Sequence, residues 1–281
     1  MKLTRVGSPG SERPALIDRN GKLRDLSGVV TDIAADMLGR QSLGRLRALD
    51  PAALPSLPQG TRIGPAVGHV GKVVCVGLNF KDHAKESGMP LPEQPILFMK
   101  ATTAICGPND DVIIPRGSTK TDWEVELGVV MGEMARAVPV EQALDYVAGY
   151  VIVNDVSERA YQLEQGGQWV KGKSCDTFCP VGPMLVTTDE IPDPQKLPMW
   201  LEVNGHRYQN GTTADMIFGV AELVSYISRY MTLMPGDLIS TGTPAGVGLG
   251  LRPPTYLKVG DVVELGIEGL GRQKQRMIGA Q

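Results

Sequence analysis

The segment YVAGYVIVND, residues 146–155, constrains this chain more than any other. From Ala148 to Val153 it is apolar without alternation and ends in a β-branched run. A strand of this kind needs cover on both faces, so it belongs in the middle of a buried sheet. KVVCVG, starting at Lys72, reads as a second buried strand, and Ile96–Met99, Val112–Ile114 and Trp123–Met131 read as further short ones. DLIST and DVVELGIEG follow Gly-Asp turn signals, and WLEVNGHRYQNG carries Asn-Gly at 204–205 and 210–211, which predicts a meander. Helical spacing is confined to short stretches. Val140–Tyr146 is one, and Val220, Leu223, Val224, Ile227, Tyr230 and Met231 predict an amphipathic helix over 219–231 that covers the sheet. With 34 glycines, 21 prolines and only 5 % aromatic residues, the chain is rich in turns. The expected class is α+β with a mostly β core, not an alternating βαβ series.

Residues 1–68 read as a small N-terminal unit and residues 69–281 as the main domain. PALIDRNGKLRDLSG predicts a hairpin around Asn20-Gly21, followed by helical patches near Thr31–Leu38 and Leu43–Leu49. Asp50 to Gly71, dense in Pro and Gly, reads as a connector. The net charge of −3, from 28 basic and 31 acidic residues, offers no concentrated positive surface for nucleic acid. No segment is long and apolar enough to span a membrane, and MKLTRVGSPG has no apolar core of a secretory signal. Cys75, Cys106, Cys175 and Cys179 lack zinc-knuckle spacing and read as reduced, mostly structural thiols of a cytoplasmic protein.

Three clusters carry chemistry. In TDWEVELGVVMG, Glu124 and Glu126 are two apart on a strand and share a face, opposite Trp123, Val125 and Leu127. That pattern also describes an ordinary strand with its polar face in water. Asp155, just past the apolar strand, adds a third carboxylate. Three convergent carboxylates without basic partners would repel unless a cation neutralised them, and all-oxygen ligands favour a hard ion such as Mg²⁺, Mn²⁺ or Ca²⁺. Spacing leaves both readings open. In GLNFKDHAKESG, His83 and Glu86 are i, i+3 on a helical turn, an arrangement suited to a general base on water or to an unremarkable surface helix. In DVSERAYQ, a helix capped by Ser157 would put Arg159 and Gln162 on one face, where Arg159 could grip a carboxylate bidentately; a solvated face is the plain alternative. Lys173 and the loop STGTPAGVG at 240–248 complete the set. That loop lacks the Gly-Lys-Ser/Thr of a phosphate loop, and no GxGxxG joins a strand to a long helix.

These clusters stand within nine stretches, in order: VGLNFKDHAKE, PILFMK, DWEVELGVVMG, YVIVNDVSERAYQ, KGKSCDTFCPVGP, LEVNGHRYQNG, MIF, GDLISTGTPAGVG and GDVVELGIEGLG. Together they resemble the fumarylacetoacetate hydrolase family over roughly residues 70–281. The resemblance implies a mixed β-roll or sandwich with a small N-terminal α/β appendage, a homodimer, and Mg²⁺ or Mn²⁺ on Glu124, Glu126 and Asp155. It implies that His83 and Glu86 handle water, and that Arg159, Gln162, Lys173 and Thr243 contact substrate. Two departures are visible: Leu78 stands where several acylpyruvate-cleaving relatives have Arg, and Phe80 where Tyr is common. The implied reaction is metal-dependent hydrolysis of the C3–C4 bond of a 2,4-diketo acid, stabilising a pyruvate enolate. GMPLPEQP at 88–95 reads as a closing lid. The extra N-terminal unit and GGQWVKGKSCDTF resemble members acting on 2,4-diketo-3-deoxy-L-rhamnonate or L-fuconate, which release pyruvate and a small hydroxy acid such as lactate. The alternatives are a same-fold decarboxylase or tautomerase, a ureidoglycolate lyase, or a non-catalytic binding protein.

Overall fold

The computed structural model describes residues 1–280. The strand Val147–Asn154 is buried at all eight residues, and its antiparallel neighbour Val125–Met131 at all seven. Both lie in the interior of a ten-stranded sheet. Its order is 23–25, 13–17, 2–6, 179–187, 147–154, 125–131, 238–240, 73–77 and 96–100, with 105–106 attached to 179–187. The 238–240 strand runs parallel to 73–77, and 105–106 parallel to 179–187; the remaining pairings are antiparallel. Gly149 is required by this packing, because a Cβ there would lie 2.2 Å from the Val186 carbonyl oxygen.

A second sheet of five strands, ordered 206–212, 198–203, 262–267, 271–279 and 112–114, packs on the 125–131, 147–154 and 179–187 strands of the first. The architecture is thus α+β with mixed sheets and few helices. Three buried glutamines tie the layers together. Gln273 Nε2 donates to the carbonyls of Ile152, Pro180 and Gly182, Gln275 Oε1 accepts from Asn154 Nδ2 at 3.0 Å, and Gln209 Oε1 accepts from the Val125 N–H at 2.9 Å. Such bonds satisfy groups that would otherwise be costly to bury. The helix Val220–Tyr230 buries Val220, Leu223, Val224 and Ile227, as the spacing predicts, and packs on the turn at 140–146. Glu222 reaches back to the Gly219 N–H at its start. The four cysteines are free, and burial pushes the Cys179 thiol up to about 12.

Four local expectations give way. Val140–Tyr146 is a 3-10 rather than an α-helix. Asn210-Gly211 lies inside the strand His206–Thr212, so only Asn204-Gly205 makes a turn. Ser157 caps no helix: Ser157–Glu158 pairs with Thr121–Asp122, and a π-helical turn starts at Ala160. The 125–131 strand has no watered face, because the second sheet and the loop at 240–243 cover it. The N-terminal hairpin forms between Arg13–Ile17 and Leu23–Asp25. Through Lys2–Val6 it extends the main sheet, with Lys2 opposite Val186 and Leu3 opposite Leu185.

Candidate active site

Antiparallel register assembles the carboxylates. Val153 pairs with Glu126 and Asn154 with Val125; one step further, the Asp155 N–H donates to the Glu124 carbonyl at 2.9 Å. Opposed residues share a face, as do residues two apart, so Glu124, Glu126 and Asp155 project together. One ligand oxygen from each lies within 4.8 Å of the others, and the three residues are buried.

Basic partners are present here, contrary to the expectation of carboxylates without them. Lys173 Nζ bridges Glu124 Oε2 at 2.8 Å and Asp155 Oδ2 at 2.7 Å. Arg159 Nη2 donates to Glu124 Oε1 at 2.7 Å, its Nε to Asp122 Oδ2 at 2.8 Å and its Nη1 to Gln162 Oε1 at 3.0 Å. Lys100 Nζ, fully buried, donates to Asp155 Oδ1 at 2.5 Å and to the Val156 carbonyl at 3.1 Å. Glu126 has no cation on it; it accepts from Ser240 Oγ at 2.6 Å and the Gly242 N–H at 2.9 Å.

The electrostatics follow from this asymmetry. Burial would raise Glu124, but Lys173 and Arg159 together outweigh it and hold the carboxyl well below the usual range. Burial, reinforced by Asp155 and Glu124, pushes Glu126 well above it. Burial alone would lower Lys173, yet Asp155 and Glu124 raise it above its ordinary value, so Lys173 is a cation at neutral pH and no general base. The donor set suits a hard divalent ion: the ligands are carboxylate oxygens, and two of them already converge on the Lys173 ammonium. Glu124, Glu126 and Asp155 would hold it, relieving the repulsion felt at Glu126.

Glu124 and Glu126 form the floor of a cavity of about 260 Å³, which His83, Arg159, Gln162, Lys173 and Thr243 also line. Glu86 and Asp155 are not among its lining residues. His83 sits on the short helix Lys81–Glu86, its Nδ1 3.4 Å from Glu86 Oε2. Glu86 also accepts from the Gly246 N–H at 3.0 Å, and Asp82 from the Ala245 N–H at 3.2 Å, which fastens this helix to the TGTPAGVG loop. Thr243 Oγ1 donates to the Val125 carbonyl and accepts from Gln209 Nε2, so its hydroxyl braces the loop. Residues 88–95 carry no helix or strand and are mostly exposed; Met89 lines the cavity, and Gln94 Oε1 accepts from the Tyr226 hydroxyl at 3.0 Å.

All nine residues singled out in the sequence therefore surround one place. Two others belong with them. Lys100 ends the strand Ile96–Lys100, within the stretch PILFMK. Asp122, two residues before Glu124, receives Arg159 and the N–H groups of Gly248 and Leu249. A lysine at a strand end and an aspartate beside a tryptophan have no spacing signal, since their partners lie 55 and 37 residues away.

The chain is similar to known proteins along its whole length. Residues 72–278 match the family described as fumarylacetoacetate (FAA) hydrolase C-terminal. A curated protein of Burkholderia orbicola (strain MC0-3), whose name reads "Putative hydrolase", is 60 % identical over 282 residues, covering 100 % of both chains. The solved fumarylacetoacetate hydrolase from psychrophilic Exiguobacterium antarcticum is 36 % identical with a TM-score of 0.89, again over 100 % of both chains. Maleylpyruvate hydrolase from Sphingobium sp. SYK-6, solved with manganese(II) and pyruvate, is 27 % identical with a TM-score of 0.83 over 100 % of both. With the matching segment covering most of its length, the chain belongs to the fumarylacetoacetate hydrolase family of hydrolase- and isomerase-type enzymes.

Proposed function

We propose that this chain is a divalent-metal-dependent hydrolase that cleaves the C3–C4 bond of a 2,4-diketo acid, with Mg²⁺ or Mn²⁺ held by Glu124, Glu126 and Asp155. The observation that carries the proposal is the clustering of those three carboxylates, with Glu124 and Glu126 lining one cavity and His83, backed by Glu86, on its wall. The manganese and pyruvate in the Sphingobium hydrolase support the same reading. The bound ion would supply Lewis acidity to a substrate oxygen and to the enolate charge of the departing pyruvate. His83 takes a proton from water, and Glu86 holds the imidazole and stabilises its cationic form. Hydroxide adds to the C4 carbonyl, where the Lys173 ammonium and the Gln162 amide stabilise the oxygen charge. The C3–C4 bond then breaks; its electron pair passes to pyruvate enolate, which takes up a proton at C3, and the rest leaves as a carboxylic acid. Arg159, three of whose N–H groups are committed within the protein, orients Glu124 and Gln162 and faces the substrate's acid end.

Within this class we place 2,4-diketo-3-deoxy-L-rhamnonate or L-fuconate first, with lactate as the second product, and a cytoplasmic homodimer as the working form; both rest on the sequence resemblance. The test is pyruvate release from a panel of 2,4-diketo acids with and without Mg²⁺ or Mn²⁺. Metal-dependent release supports the proposal. No release from any member, together with carbon dioxide from oxaloacetate, would replace it with a decarboxylase.

A further inference from the structure

The cavity is charged at its floor and neutral at its mouth. Glu124 and Glu126 are 5 % and 2 % exposed, whereas Met89, Leu163 and Leu249, which line the same cavity, are 52 %, 47 % and 37 % exposed. Leu78, Phe98 and Trp169 complete the apolar wall. Trp169 lies against Gly77, where a Cβ would sit 2.6 Å from its ring, and meets Phe98 edge-on with centroids 5.3 Å apart.

The cations of this site are already engaged. Lys173 is paired with Glu124 and Asp155, Arg159 with Asp122 and Glu124, and Lys100 with Asp155. His83, the remaining basic residue of the lining, faces Glu86. A second carboxylate would lie partly desolvated against Leu78, Leu163 and Trp169 with no cation among the residues of the mouth to pair with, which is unfavourable.

We infer that the substrate carries one carboxylate and that its far end is uncharged. This deepens the 2,4-diketo-acid reading and rests on it for the placement of the reacting end. Alkyl, aryl and hydroxylated tails all fit the criterion; a tail hydroxyl has Ser87 on the same wall to meet it. Dicarboxylates such as maleylpyruvate, named for the Sphingobium relative, fall outside it.

The experiment uses matched pairs differing only in a terminal carboxylate. Calorimetry on the full chain, with and without Mn²⁺, compares 2-oxopentanoate with 2-oxoglutarate; pyruvate release compares 2,4-dioxoheptanoate with 2,4-dioxoheptanedioate. The monocarboxylate should bind at least about tenfold more tightly and show the higher kcat/KM. Leu78→Arg, and separately Leu163→Lys at a half-exposed position, should shrink or reverse that ratio. Equal or tighter binding of the dicarboxylate overturns the inference, as does an unchanged ratio in both variants. Absence of turnover with the binding ratio intact would fail the hydrolase reading and leave the charge inference standing.

Discussion

Replacing Lys100 by Met tests whether the buried cations organise the carboxylate floor. Met has similar length and no charge, so packing changes little, but Asp155 Oδ1 and the Val156 carbonyl lose their donor. Both members of the pair are wholly inaccessible to solvent, where removing one partner costs about 3–5 kcal/mol. At roughly 2–4 °C per kcal/mol for a chain of this size, the metal-free melting temperature should fall by about 6–20 °C. Excess Mn²⁺ should restore part of the loss, because the variant floor carries one more uncompensated negative charge for the ion to neutralise. Scanning fluorimetry and circular dichroism, each with and without Mn²⁺, read both effects. Asp155→Asn in the same background should be less harmful than the two single losses summed, with a coupling of about 1–3 kcal/mol. A folded Lys100→Met protein melting within about 1 °C of the parent in both conditions would show that Lys100 does not organise the carboxylates.

Glu126 gives a prediction of opposite sign. Its carboxyl is raised by burial first and by Asp155 and Glu124 next, so its ionisation opposes folding above the ordinary carboxylate range, a penalty lifted as pH falls through the raised value. Glu126→Gln, which keeps an acceptor for Ser240 and Gly242, should therefore raise the metal-free melting temperature more at pH 8 than at pH 5, while calorimetry shows loss of Mn²⁺ binding. A fall in melting temperature of equal size at both pH values would contradict this. His83→Ala should retain Mn²⁺ affinity and lose about 10²–10⁴ in kcat for pyruvate release; retained turnover would remove His83 from the role of base.

Much of the site is legible before folding because it lies at strand ends. Glu124 and Glu126 share a face by the two-residue period, and the all-apolar run before Asp155 marks a central strand. The mutual placement is a matter of register. Only the pairing of Val153 with Glu126 puts Asp155 opposite Glu124, and a slip of one residue would turn it to the other face. Ser157 shows the converse: a good cap residue locally, it is taken instead by pairing with Asp122, because the short strand satisfies its backbone. Gln273 and Gln275 alternate with charged residues in GRQKQRM, yet both point into the sandwich, where Gln273 bonds carbonyls of the facing sheet and Gln275 accepts from the Asn154 side chain.

Local features follow from the order of residues: which segments are covered strands, where the chain turns, and which residues carry carboxylate, imidazole and ammonium groups. Tertiary structure alone decided the charge balance of the floor, since Lys100, Lys173, Arg159 and Asp122 reach their partners across 55, 18, 35 and 37 residues. It also decided that the cavity mouth is neutral. Charge pairing in a buried site depends on distance and desolvation in three dimensions, and neither is written in the order of residues along the chain.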